Sequence, residues 1–175
     1  MVKAVSYRVE QFLRALTARR NISEQRIDQA TRILTPRARA LFARQLPQDQ
    51  AHALTVYDTL CREGHSSQDL LAAALLHDVG KAAALLPAWQ RGLYVLVERF
   101  VPDLFARADR GQTGGRWRSI SDYARHAEIG ARWAEDAGCS PLTVALIRRH
   151  EEQADSDETA EGYLLSILQA ADGAN

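Results

Sequence analysis

The stretch Leu70-Leu-Ala-Ala-Ala-Leu-Leu-His77-Asp78-Val-Gly-Lys81 decides the fold, because it is apolar on every side until a histidine and an aspartate end it. A helix that is apolar all round has to be buried in the centre of a protein. Burying an ionised carboxylate without a partner costs several kcal/mol, so Asp78 needs a compensating cation. Lys81 could serve as that cation in an ion pair, but the pair leaves His77 unexplained.

The segments on both sides of this central helix also have helical patterns, and the predicted fold class is all-α. Ser23, Thr35-Pro36 and Ser140-Pro141 predict helix starts, because a hydroxyl caps the free N–H groups and proline fits the first helical position. Ser66 with Asp69 predicts a capping box. Apolar spacing predicts a first helix from Val5 to Leu16. Gly64 and Gly138 are predicted to follow the ends of two further helices. The other predicted helices and these two cover residues 48–63, 67–78, 88–100, 102–109, 121–137 and 141–152, and the last helix ends at Ala171-Asp172-Gly173.

Bulk composition narrows the class of protein. The chain has 175 residues, 46% of them apolar and 25% charged, which fits one globular domain. Its formal net charge is zero, which argues against a broad nucleic-acid-binding face. Cys61 and Cys139 match no zinc spacing and are typical of reduced cytosolic thiols. No apolar run is long enough for a membrane span and no signal peptide is visible, so the predicted location is cytoplasmic.

Six side chains that can bind metal stand on predicted helices, and together they use four of the five histidines. Taken singly, each supports a ligand role only weakly. His150 lies on a buried stripe, where a histidine is more often a hydrogen-bonded core residue. Asp172 ends a helix, where a carboxylate opposes the helix dipole and needs a cation. His65 lies in a turn and is predicted to be a loop residue. Taken together, the remaining residues favour a shared metal site: His52, His77, Asp78, His126, His150 and Asp172.

The ligands are nitrogen and oxygen atoms without a thiolate, and this set indicates which cations fit. Two divalent ions are expected, with iron or manganese first and cobalt, nickel, zinc or magnesium also compatible. A carboxylate shared between two ions would place them about 3.5–4 Å apart, and water held between them would become a nucleophile near neutral pH. The same ions would neutralise charge on a phosphoryl group.

His52, Leu-Leu-His77-Asp78-Val-Gly-Lys81 and the late Asp172 resemble the HD superfamily of metal-dependent phosphohydrolases, over residues 48–175. The resemblance implies a single HD domain over 1–175, with a five-helix core that holds the metal site. Residues 1–46 would then be an N-terminal helical extension packed on the core. The stretch between Asp78 and His126 would be an inserted helical segment.

Three further motifs resemble the binuclear branch of that superfamily: His126-Ala-Glu-Ile-Gly-Ala, Ala-Leu-Ile-Arg-Arg-His150 and Leu-Gln-Ala-Ala-Asp172. In that branch, one ion would be held by His52, His77, Asp78 and Asp172. The other would be held by Asp78, His126 and His150, with Asp78 bridging. Bacterial HD diadenosine tetraphosphatases and HD-GYP cyclic-di-GMP phosphodiesterases are the most similar subfamilies, but the further motifs of neither follow in this chain.

The resemblance implies a phosphohydrolase that uses a metal-bound hydroxide on a nucleotide or related phosphate ester or anhydride. Asp78 and Lys81 are the expected catalytic residues, and the residues expected to bind the substrate phosphate are Lys81, Arg116, Arg118 and Arg149. Two alternatives stay open: a non-catalytic nucleotide-binding, signalling or scaffold module of the HD type, and a purely structural metal site. The expected partner is a small phosphate compound, with neither membrane nor nucleic acid, and the sequence leaves an oligomer open.

Overall fold

The computed structural model describes residues 23–84, 123–152 and 159–175. Within these ranges the chain forms seven α-helices, a 3-10 helix over Val79–Ala83 and no strand, which confirms the all-α fold class. The predicted helices before residue 23 and over 88–109, and the glycine-rich stretch with Arg116 and Arg118, lie outside the described residues. The helices are α1 Glu24–Thr31, α2 Pro36–Arg44, α3 Pro47–Arg62, α4 Gln68–Leu76, α5 His126–Asp136, α6 Pro141–Arg149 and α7 Ala160–Gly173.

Hydroxyl side chains begin most of these helices, as the sequence predicts. The Ser23 hydroxyl accepts a hydrogen bond from the backbone N–H of Arg26. Thr35 and Ser140 likewise accept from the N–H groups of the residues three positions later. Thr159 caps α7 in the same manner. Each bond satisfies one of the N–H groups that a helix start leaves without an intrahelical acceptor. Gly64 and Gly138 have positive φ angles and follow the ends of α3 and α5, as expected for helix-ending glycines.

The predicted capping box at Ser66 is wrong by one residue. Ser67 is the cap, and its hydroxyl accepts from the Leu70 N–H at 3.4 Å. The Asp69 carboxylate accepts instead from the hydroxyls of Ser140 and Thr143, the latter at 3.1 Å. A long-range contact between the starts of α4 and α6 therefore uses the side chain that a local cap would have used.

Three helix ends also differ from the predicted bounds. The helix α4 stops at Leu76 rather than residue 78, so His77 is its C-cap and Asp78 precedes the 3-10 helix. The helix α6 stops at Arg149 rather than Glu152, so His150 is again a C-cap residue. The helix α5 begins at His126, later than the predicted start at Ser121, which is outside the described ranges. All three histidines consequently lie at a helix boundary: His77 and His150 directly follow α4 and α6, and His126 begins α5.

The helix α4 is the centre of the hydrophobic core, and every residue from Leu70 to Leu76 is buried. It packs against α2, α3, α6 and α7. Apolar side chains from both sides of Pro47 join the same cluster, including Ala38 and Phe42 of α2 and Leu168 of α7. The prediction that this apolar stretch forms a buried central helix is confirmed. The polar His77-Asp78 pair follows its C-terminal end and is buried as well.

A close backbone contact joins the 3-10 helix to α5. A Cβ atom placed on Gly80 would lie 1.9 Å from the carbonyl oxygen of His126 and 2.7 Å from the N atom of Gly130. A Cβ on Gly130 would in turn lie 3.1 Å from the Gly80 N atom. Only glycine fits at residue 80 without moving one of the two segments, and the contact sets the separation of Asp78 from His126.

In the part of the chain that the structure describes, no helix is both long and apolar enough to cross a membrane.

We expect Gly80→Ala to lower the free energy of unfolding by about 3 kcal/mol, because overpacking a tight backbone contact forces the two segments apart. Urea unfolding followed by circular dichroism measures this change. Gly173→Ala is the matched control, since a Cβ there meets no atom within 4 Å, and alanine should stabilise the helix by up to about 1 kcal/mol. An unfolding curve of Gly80→Ala equal to that of the unsubstituted chain would contradict the contact.

Candidate metal centre

The structure brings all six predicted ligand residues to one place. Three of them lie in α3, α5 and α7, His77 and His150 are the C-cap residues of α4 and α6, and Asp78 follows His77. The four imidazoles form a continuous row in the order His52, His77, His150, His126. Successive ring centroids in this row are 5.3, 5.1 and 5.3 Å apart, each pair packed edge to face. The side chains of His77, His126 and His150 are almost fully buried, whereas those of His52 and Asp172 are about one-third exposed.

The six residues divide into two groups of three, each compact enough to hold a metal ion. His52, His77 and Asp172 form one group, and Asp78, His126 and His150 form the other. In each group one ligand atom from every residue lies within 4.8 Å of the other two. The groups meet where the His77 ring packs against the His150 ring.

Asp78 lies between the two groups and presents a different oxygen to each. Its Oδ2 is 3.6 Å from the Nε2 atom of His77. Its Oδ1 is 3.3 Å from the Nε2 atom of His126 and 3.7 Å from that of His150. A carboxylate in this position has the geometry required to bridge two cations.

Three of the imidazoles are oriented by the same kind of local hydrogen bond. The Nδ1 atoms of His77, His126 and His150 lie 2.7–3.0 Å from the carbonyl oxygens of the residues three positions earlier. A carbonyl can only accept, so each Nδ1 carries the hydrogen and donates it. The Nε2 atom of each neutral ring is then a bare lone pair, which is the form that binds a metal.

These lone pairs face carboxylate oxygens without a hydrogen between them. The Nε2 atoms of His77 and His126 are buried, and within the described ranges neither forms a hydrogen bond. A lone pair directed at a buried carboxylate is repulsive, and a cation between the two atoms, either a proton or a metal ion, reverses the sign of that interaction. A buried polar atom without a partner requires such an explanation.

The separations of these atoms fit a metal ion better than a proton. The contacts from Asp78 to the three rings, at 3.3–3.7 Å, are longer than an ordinary N–H···O hydrogen bond. Two ligands that are each about 2.1 Å from an ion lie roughly 3.0 Å from each other in octahedral coordination and roughly 3.4 Å in tetrahedral coordination. The exception is His52 Nε2 to Asp172 Oδ1, which at 2.6 Å is a hydrogen bond that would have to lengthen around an ion.

Lys81 is the described cation that lies closest to Asp78. Its Nζ is 2.6 Å from the Asp78 Oδ2. Burial opposes ionisation of both groups, but their mutual attraction outweighs it and raises the pKa of Lys81. Burial would likewise raise the pKa of Asp78, yet the charge of Lys81 holds that pKa well below its usual range. Asp78 is therefore an anion ready to bind cations.

The His52–Asp172 pair is ionic at mildly acidic pH. Burial disfavours the charged form of each group, but their hydrogen bond and mutual charges raise the pKa of His52 and lower the pKa of Asp172. The cation that Asp172 requires at the end of α7 is thus partly supplied by an imidazole.

The remaining predicted residues lie apart from the ligand row or outside the described ranges. Arg149 bonds to Glu152 at 2.9 Å and to Glu161 at 2.6 Å, so its role in binding substrate stays a prediction. Arg116 and Arg118 fall in the segment that is not described. His65 lies between α3 and α4 and belongs to neither group, in agreement with its prediction as a loop residue.

Glu151 is a neighbour of the centre that the sequence pattern did not single out. Its Oε1 is 3.6 Å from the Nε2 atom of His126. It follows His150 directly, and this adjacency was the available signal. Helical periodicity gave no reason to distinguish it from Glu152, because the orientation of both depends on where α6 ends.

Comparisons with models of protein families, with curated proteins and with solved structures found no match to this chain. One partly exposed group and one buried group of histidine and aspartate side chains could each hold a metal ion, and their nitrogen and oxygen donors suit a divalent one.

We expect the metal-free chain to bind Mn²⁺ with a rise in melting temperature, and Asp78→Asn to abolish most of this binding. The amide keeps the shape of the side chain but removes the charge shared by both groups. Isothermal titration calorimetry measures the loss. His65→Ala is the control, because its side chain lies outside both groups. Equal Mn²⁺ binding by Asp78→Asn and the unsubstituted chain would exclude Asp78 as a ligand.

The pH dependence of stability should differ between the metal-free and metal-loaded chain. The folded-state pKa of His52 lies above its ordinary value of 6.5, and that of Asp172 lies below its ordinary value of 3.8. Their pair therefore stabilises the metal-free fold fully between pH 3.8 and pH 6.5. This contribution is lost as pH rises through the raised pKa of His52. An ion needs the neutral ring, so the stabilisation by Mn²⁺ should instead increase with pH.

Melting temperatures at pH 6, 7 and 8, with and without Mn²⁺, test this pattern. The variant His52→Asn should reduce both trends, whereas His65→Asn should keep them. A metal-induced rise in melting temperature that becomes smaller from pH 6 to 8 would contradict the assignment of His52 as a ligand.

Proposed function

We propose that this chain is a metal-dependent phosphohydrolase of the HD type, acting on a nucleotide or a related phosphate ester or anhydride. The observation that carries the proposal is the Asp78 carboxylate, which directs one oxygen to each of two histidine groups. This arrangement agrees with the ligand assignment that the resemblance to the binuclear HD branch implies. Two divalent ions held there would provide Lewis acidity toward a phosphoryl group and activation of a water molecule.

The exposure of the centre favours a reactive site over a structural one. Structural metal sites are closed by protein ligands, whereas catalytic sites keep a position accessible to water and substrate. Here His126 and His150 are buried, while the side chains of His52, Asp172 and Lys81 remain 30%, 33% and 21% exposed. A substrate would reach the centre from the side of these three residues.

Each side chain has a separate task in the proposed reaction. The imidazoles are fixed by their Nδ1–H bonds to backbone carbonyls, so their Nε2 atoms need no reorientation to act as ligands. Lys81 adds a positive charge beside Asp78 on the accessible side, where it would attract a phosphate oxygen. Asp78 holds the Lys81 ammonium group by charge attraction, and sharing of this carboxylate with a bound ion would leave Lys81 freer to turn toward substrate.

Several finer features belong to the proposal as well. Iron or manganese is the favoured ion pair, because the donors are imidazole and carboxylate without thiolate. A small phosphate compound, with a nucleotide first, is the proposed partner. The cytosol is the proposed location, in line with two cysteines that lack a metal-binding spacing.

A substrate panel under metal reconstitution tests the proposal. The chain loaded with Mn²⁺ or anaerobically with Fe²⁺ is incubated with phosphomonoesters, phosphodiesters, dinucleoside polyphosphates and cyclic dinucleotides. At least one class should be hydrolysed, with activity lost on chelation and regained on adding metal. Asp78→Asn should lower kcat/KM by at least about 100-fold, the upper end of what loss of an outer-shell partner costs.

The control His65→Ala should keep the activity of the unsubstituted chain. Absence of turnover on the whole panel by a fully metal-loaded chain would reject the enzymatic function. If the chain then binds a nucleotide tightly, the binding-module alternative is favoured. If no phosphate compound changes the affinity of the chain for its metal ions, a structural site is favoured.

A further inference from the structure

The two ligand groups differ in the negative charge available to each. Asp172 serves the first group, with its Oδ1 at 2.6 Å from His52 Nε2 and 3.5 Å from His77 Nε2. The second group has Asp78 as its carboxylate, but that side chain is also paired with Lys81 and faces His77. A divalent ion at the second position would therefore share its one anionic ligand with Lys81 and with the ion at the first position.

Glu151 is placed to correct this imbalance. Its Oε1 is 3.6 Å from the Nε2 atom of His126, close to the 3.3 Å between that nitrogen and the Asp78 Oδ1. Both separations are close to the roughly 3.0–3.4 Å between neighbouring ligands of one octahedral or tetrahedral ion. The nitrogen between them is buried and, in the described residues, forms no hydrogen bond.

The position of Glu151 in the fold leaves its carboxylate adjustable. It directly follows His150, the C-cap of α6, and its side chain is 54% exposed. The next residue, Glu152, is equally exposed but bonds to Arg149 at 2.9 Å, away from the imidazoles. One of two adjacent acidic side chains thus faces the centre while the other is held by an arginine.

We propose that Glu151 is an additional ligand of the ion held by Asp78, His126 and His150, and that it gives this position its second negative charge. The inference rests on the proposed two-metal centre. It makes the two positions similar in composition, each with two imidazoles, one carboxylate of its own and a share of Asp78.

Metal titration of matched variants tests this role without reference to activity. Metal-free unsubstituted chain, Glu151→Gln and Glu152→Gln are titrated with Mn²⁺ by calorimetry, and bound ions are counted by mass spectrometry after desalting. Glu151→Gln should weaken one of two ions by about 10–100-fold, the range for loss of a group that supports a metal site. Glu152→Gln removes the same charge one residue away and should bind both ions as the unsubstituted chain does.

Two further measurements separate a ligand from a structural residue. The melting temperature of metal-free Glu151→Gln should equal that of the unsubstituted chain, because the side chain is exposed and carries no core packing. Glu151→Asp keeps the charge and should recover part of the affinity. Equal weakening of both ions in Glu151→Gln would overturn the assignment to one position.

The possible failures are distinguishable. Two ions bound with unchanged affinities by Glu151→Gln would reject the role of Glu151 and leave the two-metal centre standing. Fewer than two ions bound by the unsubstituted chain would reject the two-metal centre itself, and the assignment of Glu151 with it.

Discussion

The buried carboxylate of Asp78 is the constraint on which the rest of the centre depends. An ionised group in the core is tolerated only when cations or hydrogen-bond donors surround it. Lys81 meets one oxygen directly, and three imidazoles face the pair of oxygens at longer distances. The apolar helix α4 leads into this charge, so the chain places its most polar contacts at the end of its most apolar element.

The backbone around Asp78 is arranged to keep these partners in reach. The tightening of α4 into a 3-10 helix after Leu76 carries Asp78 into the space between α5 and α6. The contact between Gly80 and the start of α5 then sets the position of His126. Each of the three histidines at a helix boundary donates its Nδ1–H to the carbonyl three residues earlier, and this bond fixes the ring.

Local chemistry explains why much of this arrangement could be predicted from sequence. Thr35-Pro36 and Ser140-Pro141 define helix starts by short-range bonds, and the apolar run from Leu70 requires burial wherever it lies in the chain. The six candidate ligands were identifiable because histidine and aspartate are costly on buried faces. The hydroxyl partners of Asp69 and the proximity of Glu151 to His126 were not predictable, since each depends on contacts between separate segments of the chain. Ser67 rather than Ser66 is the cap, a local bond that the adjacent serines made ambiguous in the sequence.

The dispersion of the ligands along the chain has a thermodynamic consequence. His52 and Asp172 are 120 positions apart, and no short segment contains a complete group of ligands. The unfolded chain therefore has no preformed place for an ion, and a cation that binds there would bind the native state alone. By mass action, the population of folded molecules would then follow the concentration of free metal, increasing when the ion is plentiful and decreasing when it is scarce.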